Sequence, residues 1–133
     1  MKRWQKKRIF VVDVAVFKVD VLVAVDCGEK DVLAWFKKHG AAKHDEVKEV
    51  ISEWDEDSKT STLGRMYQAS GGFIVFLKSH QSWIEMFGLL VHEMTHVTQY
   101  LLKDRRVPLS MDTDEVHAYL VEYLVKSVAR EIL

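Results

Sequence analysis

Cysteine, proline and glycine are all scarce in this chain of 133 residues, at one, one and six. A lone Cys27 forms no internal disulfide, which excludes a disulfide-stapled scaffold and any multi-cysteine zinc module. So little proline and glycine excludes collagen-like and Pro/Gly-rich disordered classes. Charge of one sign is missing too. With 19 basic and 20 acidic side chains the formal charge is −1, so no global field recruits nucleic acid or an anionic membrane. The longest apolar stretch, 9–25, is broken by Asp13, Lys18 and Asp20. It therefore lacks the ~18 uninterrupted apolar residues of a membrane-spanning helix, and it makes no clean signal-peptide core despite the basic residues before it. An apolar share of 48% suffices for the core of one domain over 1–133, of a kind suited to the reducing cytoplasm. The basic cluster Lys2, Arg3, Lys6, Lys7 and Arg8 reads as a solvated, fraying terminus.

Valine dominates residues 9–26, and β-branched residues favour strands; the stretch is too long for one strand, so a hairpin turning near Phe17–Asp20 is expected. Asp31, Val32, Leu33, Trp35 and Phe36 follow helical spacing, closed by Gly40. A second helix is expected over Asp45–Trp54, on the stripe Val47, Val50, Ile51 and Trp54. The polar run Asp55–Thr62 reads as an exposed loop. Arg65–Ala69 and Phe73–Leu77 flank a Ser-Gly-Gly turn and predict a second hairpin. From about Ser82 to Lys103 the chain is helical in period and apolar almost all round, as in a buried helix. After Pro108, a last helix starts near Asp112–Asp114 and runs to about Arg130. The expectation is an α+β domain, a small antiparallel sheet of two hairpins packed by helices.

Inside the apolar helix stands His92-Glu93-Met94-Thr95-His96. Two histidines four apart share one helical face, so both imidazoles reach a single ion. Glu93, about 100° round the helix, flanks that ion and is placed to take a proton from a metal-activated water. Burying two imidazoles and a carboxyl without partners costs about 1–3 kcal/mol for each polar group and more for the charge. A zinc ion, Zn2+, resolves all three, and a catalytic zinc takes a third protein ligand. Cys27 is a poor candidate because it ends a strand; a buried thiol is its expected fate. Asp112, Asp114, Glu115, His117 and Glu122 are the downstream candidates.

His92-Glu93-x-x-His96, eighteen residues and then Glu115 near a helix start resembles the gluzincin branch of the zincin metallopeptidases, over about residues 73–123. The resemblance implies His92, His96 and Glu115 as zinc ligands and Glu93 as general base and acid. It also implies a strand before the motif helix that pairs with an extended peptide or protein substrate, a part open to Phe73–Leu77. Where many gluzincins carry an aspartate four residues after the ligand glutamate, this chain has Tyr119. Tyr119 either bonds a ligand histidine or steadies an oxyanion, or it belongs to the core; Tyr100 and Tyr123, also near the two helices, are the other oxyanion candidates. Glu122 either orients an imidazole or is solvated, and His117, on another face from Glu115, is expected at the surface. The segment 114–124 is similar to antirepressor-type peptidases of mobile elements, and the chain as a whole to minimal, single-domain metallopeptidase-like proteins of phages. The implied activity is hydrolysis of an amide bond; the alternative is a catalytically silent, zinc-stabilised interaction or assembly module. Neither reading calls for nucleic acid or membrane.

Overall fold

A computed structural model describes residues 2–39, 44–69 and 71–133, with the side chain of His44 left aside. Strands β1 (Arg8–Val14) and β2 (Val19–Val25) pair antiparallel, as do β3 (Gly64–Ala69) and β4 (Gly72–Leu77). Both expected hairpins are thus present. They are joined through β2 and β4, which run parallel, so the sheet is mixed, in the order β1-β2-β4-β3, and not antiparallel. The cause lies in the connection: a parallel pair needs a long crossover, and helices α1 (Glu29–His39) and α2 (His44–Ser58) supply it. Helices α3 (Trp83–Asp104) and α4 (Asp114–Ile132) complete the α+β domain.

Helices cover both faces of the sheet. Val21, Val23, Val25, Phe73, Val75 and Leu77 pack with α3 and α4, whereas Leu22, Ala24, Ile74 and Phe76 pack with α1 and α2. The two central strands are consequently apolar at nearly every position, as strands buried on both faces must be. Trp54 of α2 stacks on Phe76 at 5.0 Å between ring centroids, which anchors the α2 layer to the sheet.

Three local expectations change. The first turn is a 3-10 segment, Ala15–Phe17, followed by Lys18 at φ 54°, earlier than Phe17–Asp20. Helix α2 continues through Ser58 into the expected loop. Its last turn is held from outside: Asp57 accepts a 2.6 Å hydrogen bond from the Tyr67 hydroxyl and lies 3.4 Å from Arg65. The basic terminus is docked and does not fray. Trp4 donates to the His80 carbonyl at 2.9 Å and packs on Trp83, while Lys7 pairs with Asp31 at 2.9 Å. The Gly40 stop and the Ser70 position of the second turn lie outside the described residues. No helix among the described residues is long and apolar enough to cross a membrane.

Cys27 is buried, its thiol donating towards the carbonyls of Val25 at 3.3 Å and Arg8 at 3.5 Å. Burial pushes the thiol up to about 11. The folded protein at pH 8 is therefore expected to react with a thiol reagent about a hundredfold more slowly than the urea-unfolded chain. Equal rates, followed by absorbance, would show an accessible thiol.

Candidate metal centre

Helix α3 begins where Ser82 accepts from the Glu85 amide at 3.5 Å, the ordinary N-cap bond. Met86, Leu90, Met94, Val97, Leu101 and Leu102 then form its fully buried stripe. Each is worth about 1.5–3 kcal/mol on burial, which together outweighs the several kcal/mol lost by burying one unpaired carboxyl. The helix can therefore carry Glu93 into the interior without giving way.

The motif residues divide by angle around α3. His92 is exposed and His96 half-buried, and their Nε2 atoms face each other at 3.1 Å, one donating to the other. The rings stand nearly perpendicular, 4.7 Å between centroids. Glu93 is only 3% exposed, and its Oε2 has no hydrogen-bond partner among the described residues. Burial holds its carboxyl above the usual carboxylate range, with His92, His96 and Arg65 pulling the other way.

These three side chains line one cleft of about 280 Å³, with Thr62, Gly64, Arg65 and Met66 along one wall and Tyr100 beyond. The wall is the edge strand β3, not β4. Phe73–Leu77 lies between β2 and β3 with both edges paired, so it offers no free edge to a substrate strand. Gly64 explains how α3 comes so near that edge. A Cβ there would stand 2.9 Å from Leu89 Cδ1, 3.1 Å from the Phe76 oxygen and 3.3 Å from Glu93 Cγ. The sequence offered a signal in that lone glycine at a strand start, which periodicity does not read.

Helix α4 presents His117, Leu120, Leu124, Val128 and Ile132 inward. His117 is thus buried at 8% exposure, not at the surface, because it falls on the stripe of the leucines. Glu115 and Tyr119, four apart and nearly opposite that stripe, are exposed; at 67% exposure Tyr119 is not core. Glu122 pairs with Lys126 at 2.6 Å in solvent, which leaves it no imidazole to orient. Tyr123 donates its hydroxyl to the Asp13 carbonyl at 2.5 Å, and Tyr100 is the one of the three tyrosines that lines the cleft. The structure therefore brings together His92, Glu93 and His96 and does not bring Glu115 or Tyr119 to them. Among the described residues no three His, Cys, Asp or Glu side chains form a ready-made metal cage.

The two imidazoles nevertheless fit zinc. Nitrogens bound tetrahedrally at about 2.0–2.1 Å stand about 3.3–3.4 Å apart, close to the 3.1 Å observed. The Glu93 Oε2, without a hydrogen-bond partner among the described residues, belongs to a side chain that lines the same cleft. Compared with protein-family models, curated proteins and solved structures, the chain matches none.

Proposed function

We propose that the protein is a zinc-dependent hydrolase of amide bonds, with His92 and His96 as metal ligands and Glu93 as general base and acid. One observation carries the reading: two facing Nε2 atoms 3.1 Å apart beside a buried carboxyl oxygen and a strand edge, both without a partner among the described residues. No third protein ligand is assigned, because Glu115, implied by the family resemblance, is exposed on α4 and does not join the histidines. Zinc, when bound, supplies Lewis acidity towards a carbonyl and acidifies water.

The chain's own groups do the rest. A peptide laid along β3 bonds to the free edge of Gly64–Ala69, with its scissile carbonyl towards the histidines. Glu93 takes a proton from the attacking water at its carboxyl oxygen and returns it to the leaving amine as the C–N bond breaks. Tyr100, at the end of the cleft, takes the place of Tyr119 as the side chain available to an oxyanion.

Metal analysis after dialysis tests the first step. The wild type is expected to retain one zinc per chain, and His92→Ala or His96→Ala to bind it at least tenfold more weakly. Wild-type affinity in either variant would remove these ligands. Zinc held without hydrolysis of any peptide by the wild type would favour the silent, zinc-stabilised module.

A further inference from the structure

Beyond the histidines the groove along β3 continues. The cleft of about 280 Å³ that holds His92 and His96 shares Met66 and Tyr100 with a second hollow of about 400 Å³, which runs along Met66, Tyr67 and Gln68. The far wall of that hollow is helix α2, whose Glu46, Glu49 and Glu53 line it beside Val50. Their spacing puts these glutamates on one face of the helix, and all of them are exposed. No basic side chain lines this part of the groove.

The strand that bounds the groove has a free edge. Lys78 donates its amide to the Leu63 carbonyl at 2.8 Å. In the antiparallel register of β3 and β4, Arg65, Tyr67 and Ala69 therefore turn their backbone groups to β4, and Gly64, Met66 and Gln68 turn theirs outward. No described strand pairs with that edge. Side chains alternate as well. Met66 packs with the α3 layer and Gln68 donates to Asp104 of α3 at 2.7 Å, whereas Tyr67 packs with the α2 layer. A peptide strand added to β3 repeats this alternation. Its residue level with Met66 faces α3 and Tyr100, and its residue level with Tyr67 faces α2 and the glutamates.

We infer that the peptide recognised along β3 carries an arginine or lysine level with Tyr67, its cationic head between the carboxylates of Glu49 and Glu53. The inference deepens the reading of β3 as the peptide-binding edge and rests on it. Glu49 and Glu53 stand one helical turn apart and pair with no other described residue, so one cation bridges them. Arginine suits the place best, because its guanidinium bonds two carboxylates at once while its stem covers Val50. Arg65 of β3 does not compete, since it is engaged with Asp57 at 3.4 Å. An acidic residue at this level would be repelled, and a neutral one would leave both carboxylates uncompensated.

The test is fluorescence anisotropy of the full chain in EDTA with the labelled, blocked peptide Val-Thr-Val-Arg-Val-Thr-Val. It is expected to bind about tenfold more tightly than the same peptide with citrulline for arginine, the usual worth of a charge-assisted hydrogen bond. The variant Glu49→Gln/Glu53→Gln, altered only at exposed positions, should erase that difference. Methylating the backbone nitrogens of the two central valines, which bond the strand edge, should weaken binding about tenfold as well. Equal affinity for the arginine and citrulline peptides, or binding of neither, would overturn the proposal, as would an undiminished preference for arginine in the double variant. Affinity untouched by methylation would overturn it in favour of simple charge attraction. The measurement needs neither zinc nor turnover, so its failure leaves the reading of the histidines standing. A chain that binds the arginine peptide and holds no zinc would lose the hydrolase reading alone.

Discussion

Glu93→Gln protein is expected to keep its zinc and to hydrolyse labelled casein about 10²–10⁴-fold more slowly than wild type, the usual worth of a general acid–base group. Glutamine preserves the shape of a side chain that is 3% exposed and lies near the space left by Gly64, so the cleft wall should not move. It cannot take a proton at the carboxyl position. Zinc content and turnover should therefore separate in this variant, whereas loss of His92 or His96 should diminish both. Turnover at the wild-type rate would remove Glu93 from the mechanism.

The same substitution has a second readout in metal-free protein. Burial raises the Glu93 carboxyl above its ordinary value, so between that value and the raised one the folded state holds a proton that the unfolded chain has released. Stability then falls as pH rises through this window. Glutamine does not titrate. The metal-free variant is expected to gain on the wild type with rising pH and to lose that advantage in acid, as read by urea midpoints. A wild-type curve that rises with pH relative to the variant would contradict the burial argument.

Gly72→Ala is expected to destabilise the fold by about 2–3 kcal/mol, the cost of overpacking a site that cannot relax. A Cβ at Gly72 would stand 2.6 Å from the Asp20 carbonyl oxygen, a contact with backbone and not with the end of a movable side chain. Asp20 belongs to β2 and Gly72 opens β4, so the clash falls where the two hairpins join into one sheet. Gly88 is the control: it lies within α3 with nothing inside 4 Å of a Cβ, and alanine there should stabilise by about 0.5–1 kcal/mol. Urea unfolding monitored by circular dichroism distinguishes the two. A Gly72→Ala midpoint equal to wild type would mean that β2 and β4 do not approach as described.

Much of the fold was legible because its signals are local. A valine-dominated stretch too long for one strand, and two short runs flanking Ser-Gly-Gly, pointed to the two hairpins. The period of Met86, Leu90, Met94, Val97 and Leu101 gave α3 to within one residue at each end. The motif histidines were legible for the same reason, since a separation of four residues fixes their common face whatever surrounds the helix. The end of α2 was not, because Asp57 is kept helical by Tyr67 and Arg65, partners that are remote in sequence. His117 was misplaced for a related reason. Its spacing from Glu115 says that the two diverge, but only the docking of α4 decides which of them goes inward.

Apart from the last turn of α2, the amino-acid sequence by itself determined which segments are helices and strands, that each hairpin pairs with itself, and that two imidazoles and a carboxyl share one stretch of α3. Short-range periodicity and sterics suffice for these. Only the tertiary structure decided that β2 and β4 run side by side in parallel, that β3 forms the open edge of the cleft, and that α4 turns His117 inward and Glu115 out. Those choices depend on contacts between residues tens of positions apart, where the burial of whole faces selects among arrangements that the local pattern leaves equal.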